Sequence, residues 1–257
     1  MSDSTFILEK IGRMAVITLN RPEVLNALNT QMSLEVSAVL TELDQDEGID
    51  VIIVTGAGEK AFCAGRDLKE LATTDGKVGR GDDSVITKLR NVETPTIAAV
   101  NGFAITGGFE LALSCDIIIA SENATFADTH ARVGLLPAGG VSQILPRLVG
   151  IKKAKELSFT GNFMSAQEAL QFGLVNRVVP FKELRPAAEK LAQDIISSQQ
   201  WVVREMKKLI DKGEGMTLED ALRMEHYIQF RNLDKMGPEA VQKSSSEVFE
   251  RGRKQNN

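Results

Sequence analysis

Apolar and polar positions change their period several times along the chain, and each change marks an element. Thr5 to Lys10 and Met14 to Leu19 are short β-rich runs on either side of Gly12, which predicts a hairpin-like pair of strands. Between Asn29 and Asp44 the apolar residues Met32, Val36, Val39, Leu40 and Leu43 recur at helical spacing. Asn29 or Thr30 can cap the start, so the segment reads as an amphipathic helix. Continuous apolar runs then occupy Val51 to Thr55, Ile97 to Val100 and Asp116 to Ala120. Runs that do not alternate fit strands covered on both faces. The first ends in Gly56, the second in Asn101-Gly102, and the third follows a helix predicted from about Gly108 to Ser114. Buried strand, glycine turn and helix thus recur, which predicts a layered or spiral α/β core.

From about Leu184 onward no β-rich run remains. Helical patterns cover Glu189 to Ile196, Trp201 to Ile210, Leu218 to Phe230 and Pro238 to Arg253, broken by Gly213-Glu214-Gly215 and Met236-Gly237-Pro238. The division expected from this change is residues 1–195 as the core and 196–257 as a helical C-terminal region. Thr73 to Asp83 is polar, glycine-rich and without a pattern, and reads as a mobile surface loop.

Composition narrows the class. With 257 residues, 43% hydrophobic and 25% charged, the chain can bury a large core, and extended disorder and collagen are excluded. A net charge of −5, with no basic tract longer than Lys152-Lys153 or Lys207-Lys208 before the tail, gives a nucleic-acid surface no electrostatic support. No apolar run approaches the roughly 20 residues that span a bilayer, so no membrane span is expected. Met1 to Thr5 carries neither a basic leader nor an apolar run, and the chain holds two cysteines, Cys63 and Cys115. The expectation is a cytoplasmic protein with both thiols reduced and used as small core residues. Two histidines and two cysteines, scattered and without HExxH or CxxC, predict no metal site.

Gly56-Ala57-Gly58-Glu59-Lys60-Ala61 matches the G-x-G-x-x-A dinucleotide fingerprint, but Gly65 falls where the helix of that fold should already be established. Asp75, at the place of the ribose-binding acid, sits in the polar stretch rather than at a strand end, so an ordinary turn is the better reading. More informative are the turns Phe62 to Glu70 and Asn101 to Asp116, each leading from an apolar run into a helix through glycines. Free N–H groups at a helix start suit a developing negative charge, and small residues let a substrate approach the backbone. Taken singly, each turn reads better as a plain turn and cap.

With these motifs in view the chain strongly resembles the crotonase (enoyl-CoA hydratase/isomerase) superfamily. The resemblance runs from Arg21-Pro22-Glu23-Val24-Leu25-Asn26-Ala27-Leu28, through both turns, to Gly134-Leu135-Leu136-Pro137-Ala138-Gly139-Gly140 and Ser165 to Asn176. The ordered set is specific for the superfamily and not for one reaction. It implies a spiral of repeated ββα units, a helical C-terminal region that assembles trimers or a dimer of trimers, and an acyl-CoA substrate with no separate cofactor. It further implies that the amides of Arg66 and Gly107 form an oxyanion hole for the thioester carbonyl. Ala64, Gly65, Asp67, Leu68, Gly108, Leu136, Pro137 and Gly139 then fall at substrate-binding positions. The Arg66 side chain is left to meet a CoA phosphate or solvent. Glu110 falls at one of the two catalytic glutamates of hydratases; a carboxylate on an otherwise apolar helix start should have a raised pKa and act as an acid/base, with helix capping as its other use.

At the second glutamate, within Phe126 to Gly134, this chain has His130. An imidazole can bind water and accept a proton near neutral pH, so hydration stays open. Asp128 either orients His130, replaces the missing carboxylate, or caps a turn. The expected reaction is reversible hydration of a trans-α,β-enoyl-CoA to the β-hydroxyacyl-CoA, catalysed by Glu110 and His130. The alternatives are double-bond isomerisation, other enolate chemistry such as decarboxylation or C–C hydrolysis, and a non-catalytic acyl-CoA-binding member. His226, in the helix Leu218 to Phe230, is expected to be structural or interfacial.

Overall fold

A computed structural model of the protein describes residues 4–73, 84–235, 237, 248–249 and 251–253. Most of the polar stretch expected as a loop, and most of the helix expected over Pro238 to Arg253, lie outside the described residues.

The predicted hairpin is β1 (Phe6–Ile11) paired antiparallel with β2 (Met14–Leu19). The predicted amphipathic helix is α1 (Thr30–Gln45), and Asn29 caps it by accepting a hydrogen bond from the Met32 N–H. Three β–β–α units follow. They are β3 (Val51–Gly56), β4 (Ala61–Cys63) and α2 (Leu68–Thr73); after α3 (Val85–Asn91), β5 (Thr96–Val100), β6 (Phe103–Ile105) and α4 (Gly107–Leu113); then β7 (Ile117–Ser121), β8 (Thr125–Ala127) and α5 (His130–Val133). The later helices of the core are α6 (Val141–Val149), α7 (Ile151–Thr160), α8 (Ala166–Gln171) and α9 (Phe181–Ile196), interleaved with the short strands β9 (Met164–Ser165) and β10 (Arg177–Val179).

The first strand of each unit joins one sheet, ordered β1-β2-β3-β5-β7-β10, and the second joins another, ordered β4-β6-β8-β9. Within both sheets the repeated strands are parallel, in register such as Ile97 with Ile117 and Ala104 with Phe126. Each unit therefore advances one strand in both sheets, which makes the expected spiral.

The continuous apolar runs are explained by what covers them. On one face of the six-stranded sheet Val16, Ile53, Ile97 and Ile119 meet Leu184, Ala188 and Ala192 of α9. On the other, Ile17, Ile52, Val54, Ala98 and Ile118 join Met32, Val36 and Leu40 of α1 and the rings of Phe62, Phe109 and Phe126. Each isoleucine or valine fully buried in this way contributes about 1.5–3 kcal/mol.

By its contacts the chain divides into residues 1–204 and 205–257, a division that falls inside α10 (Gln200–Gly213), later than the change of pattern in the sequence. In the second unit α11 (Leu218–Arg231) is capped by Thr217 and carries a Glu219–Arg223 ion pair on its surface. His226 is exposed on α11. Among the described residues no helix is long and apolar enough to cross a membrane.

Candidate active site

Strands β4, β6 and β8 are neighbours and parallel, so the turns after their C-terminal ends meet at one edge. This adjacency assembles the site from residues that are far apart in sequence.

The first turn, Ala64 to Asp67, is pinned by the Arg21–Leu28 segment. The Ala64 N–H donates to Leu25 O at 3.0 Å, the Leu28 N–H to Gly65 O at 2.7 Å, and the Asp67 N–H to Leu28 O at 2.9 Å. Asn26, fully buried, donates through its amide to Ala57 O and Ala61 O, which fixes that segment against the start of β4. Arg21 pairs with Asp67 at 3.0 Å. The second turn is Thr106, leading into Gly107 at the start of α4. The two turns abut: a Cβ on Gly65 would lie 2.9 Å from Ile105 O and 3.1 Å from the Gly107 N, and one on Gly107 would lie 3.5 Å from the Arg66 N. Gly65 also has φ +93°, so glycine is required there twice over. The backbones of Arg66 and Gly107 thus come together.

Glu110 lies one turn along α4 and is only 3% exposed. Its Oε1 accepts the Gly139 N–H at 2.7 Å and the Val141 N–H at 3.4 Å. Burial raises its pKa, opposed by the neighbouring His130 ring and by those two N–H donors. Its role is therefore not capping of its own helix. The third turn supplies His130, at the start of α5 and 8% exposed. His130 Nε2 stands 3.8 Å from Glu110 Oε2, and Nδ1 is 2.6 Å from Asp128 Oδ1. Asp128 is buried, which would raise its carboxyl, but hydrogen bonds from the His130 ring, Ser158 and the His130 backbone outweigh this and hold it below the ordinary carboxylate range. An ionised Asp128 places the proton of a neutral His130 on Nδ1 and leaves the Nε2 lone pair facing Glu110. Of the uses open to Asp128 in the sequence, the structure shows two at once, because Oδ1 accepts the His130 backbone N–H at 3.3 Å, which caps the turn, and meets the His130 ring.

These groups open on a cavity of about 360 Å³. Of the residues singled out in the sequence, Ala64, Arg66, Leu68, Gly107, Glu110, His130, Leu136 and Gly139 line it. Gly65, Asp67, Gly108 and Pro137 do not. Gly65 lets the turns touch, Asp67 serves Arg21 and the start of α2, and Pro137 sits between the wall residues Leu136 and Ala138. A Cβ on Gly108 would come within 1.9 Å of Cys63 O, so this glycine serves the packing of α4 on β4. Leu68, Leu71, Ile86, Val133, Leu135 and Leu136 give the cavity an apolar wall.

Sequence reasoning passed over Thr106, Thr129 and Arg90. Thr106 and Thr129 line the cavity with their hydroxyls paired, and Arg90 donates to the carbonyl of Gly139 and, at 3.3 Å, to Ser114 Oγ. A threonine directly before Gly107-Gly108 carries a sequence signal, but that signal is for a helix cap. Cys63 and Cys115 are buried thiols outside any disulfide, and burial pushes the Cys63 thiol up to about 12, away from nucleophilic use. The Gly56–Gly58 motif is a turn between β3 and β4 rather than the start of a helix. Among the described residues no three His, Cys, Asp or Glu side chains are placed to hold a metal ion.

The adjoining backbones of Arg66 and Gly107, a buried carboxylate and an imidazole thus line one cavity. Residues 9–255 match the model of the enoyl-CoA hydratase/isomerase family, and the chain belongs to that family. It is 44% identical over 229 residues to the short-chain-enoyl-CoA hydratase of Clostridium acetobutylicum, covering 88% of each chain. It is 38% identical over 249 residues to a probable peroxisomal enoyl-CoA hydratase of Arabidopsis thaliana, covering 96% of this chain and 94% of the other. The crystal structure of an enoyl-CoA hydratase from Mycobacterium tuberculosis superposes with a TM-score of 0.76 at 41% identity, over 89% of this chain and 100% of that one.

Proposed function

We propose that the protein is an enoyl-CoA hydratase, a lyase that reversibly adds water across the double bond of a trans-α,β-enoyl-CoA. The observation that carries the mechanism is the 3.8 Å gap between Glu110 Oε2 and His130 Nε2 on the cavity wall. A gap of this size lets one water oxygen reach both groups. Glu110 and the His130 ring hold the water, and Glu110 takes one proton from it as its oxygen attacks the β-carbon. Charge that flows onto the thioester oxygen is met by the amides of Arg66 and Gly107, preorganised donors that in a dry site contribute several kcal/mol. The proton that Glu110 has taken from the water then passes to the α-carbon, which completes the addition.

Coenzyme A enters as part of the substrate, and no metal or further cofactor takes part in these steps. The apolar wall from Leu68 to Leu136 suits the acyl tail. Leu218, Leu222, Tyr227 and Phe230 are exposed along α11, an apolar surface larger than a solitary helix keeps in water, and it supports assembly into a trimer or a dimer of trimers. The two buried thiols fit a reducing compartment such as the cytoplasm.

Isomerisation is the second reading, favoured by the imidazole where a second carboxylate is expected, because moving a double bond needs one base and no water. Turnover of a short enoyl-CoA in ¹⁸O water separates the two. Hydration puts the label on the β-carbon; a shifted double bond with no label in the product overturns the proposal.

A further inference from the structure

The turn that presents Gly107 is built on a residue ill suited to it. Thr106 has φ 52° and ψ −112°, where a β-branched side chain crowds its own backbone and glycine is the usual occupant. Leu25, also at positive φ, has the ordinary left-handed geometry instead. Thr106 is held by its surroundings. Its N–H donates to Ala127 O at 2.8 Å, its carbonyl accepts the Glu110 N–H at 2.9 Å, and its hydroxyl pairs with that of Thr129. A threonine at the N-cap ordinarily turns its hydroxyl to the amides of the helix. Here it makes no such bond. The hydroxyl is used across the site instead, on the residue just before His130.

The consequence follows from backbone geometry. The ψ angle of Thr106 rotates the peptide that carries the Gly107 N–H, so whatever fixes Thr106 aims that donor. Thr129 is the N-cap of α5, so the same contact reaches the backbone from which His130 projects. We propose that Thr106 is a positioning residue whose hydroxyl, paired with Thr129, holds the Gly107 amide and His130 in one fixed relation. The proposal rests on the reading of Gly107 as an oxyanion donor. Strain at Thr106 then has a use, since a residue with no comfortable well at these angles depends on the cross-site bond to stay there.

The test compares hydroxyl with conformation. Thr106→Gly suits the backbone angles but removes the hydroxyl; Thr106→Ser keeps the hydroxyl; Thr129→Val removes its partner. With a short trans-2-enoyl-CoA as substrate, Thr106→Gly should fold with an unchanged or raised Tm, yet lose roughly tenfold to a hundredfold in kcat, the scale of a small misplacement at a reacting centre. Its KM should stay within about threefold, because binding is not what the hydroxyl serves. Thr106→Ser should stay within about threefold of wild type in kcat. Thr129→Val should match Thr106→Gly, and the double variant should be no worse than either single one, as expected of one shared contact. A cinnamoyl-CoA thioester gives a second readout, since polarisation of its carbonyl shifts its absorption to the red. The shift should shrink in Thr106→Gly and return in Thr106→Ser. Wild-type kcat in Thr106→Gly, or equal damage from serine and glycine, overturns the proposal. A wild-type enzyme that binds the cinnamoyl thioester with no red shift overturns it differently, by removing the reading of Gly107 on which it stands.

Discussion

The six-stranded and four-stranded sheets receive strands from the same three β–β–α units, yet they do different work. Strands β3, β5 and β7 are five or six residues long, and α1 and α9 pack on opposite faces of their sheet. Strands β4, β6 and β8 are three residues each, too short to stabilise much by themselves, and their ends carry Arg66, Gly107 and His130 into one cavity. Stability is concentrated in the first sheet and chemistry at the edge of the second. A turn at the end of a short strand can take up positive φ or a buried carboxylate because the long sheet beside it secures the fold.

Glu110→Gln tests this separation most severely. It should lower kcat by roughly 10²–10⁴-fold, the range for losing a general acid/base, while thioester binding stays nearly intact. Its effect on stability should have the opposite sign. Burial raises the native Glu110 pKa above the unfolded value, so native protein holds that proton to higher pH, and forming the charge there reduces stability. Glutamine removes the penalty. The Tm of Glu110→Gln should therefore equal or exceed that of wild type at pH 7, with the difference shrinking as pH falls through the native value and gone below the unfolded carboxyl value of about 4. Ile53→Ala, in the middle of β3, should do the reverse. Emptying that fully buried position should cost about 2–5 kcal/mol in denaturant unfolding and leave kcat of the folded fraction unchanged.

Asp128 belongs to both regimes and sharpens the boundary between them. Asp128→Asn removes the charged partner of His130 Nδ1, and should lower kcat by about tenfold through loss of the imidazole's orientation and cost about 1–3 kcal/mol of stability at pH 7. Its native pKa is lowered, so the stabilisation exists above about pH 4 and disappears as pH falls through the native value. Chemical unfolding of both proteins at pH 7 and pH 3 measures it; an equal loss at the two values contradicts the assignment.

What was legible in the sequence follows the same boundary. Val51 to Thr55, Ile97 to Val100 and the Met32–Leu43 period announce long elements, because burial on both faces or on one helical stripe leaves a repeated pattern. Ala61–Cys63, Phe103–Ile105 and Thr125–Ala127 leave none, since three residues complete no period, and the second sheet reached the reader only through the resemblance to a family. Glu110 stood out as a charge on an apolar helix start. Its link to Gly139 did not, because that contact joins α4 to a segment beyond α5 and has no local trace. Thr106 occupies the N-cap of α4, and only its missing capping bond and the pairing with Thr129 show that its hydroxyl serves elsewhere.

The ends of β6 and β8 bring Glu110 and His130 within 3.8 Å of each other, the spacing on which the proposed hydration depends. The direct measurement is the hydration rate of a short trans-2-enoyl-CoA by His130→Ala and His130→Glu against wild type. Alanine should lower kcat measurably, though less than Glu110→Gln does, and glutamate should preserve or raise it by restoring two carboxylates at the 3.8 Å gap. Unchanged hydration in His130→Ala would contradict the claim.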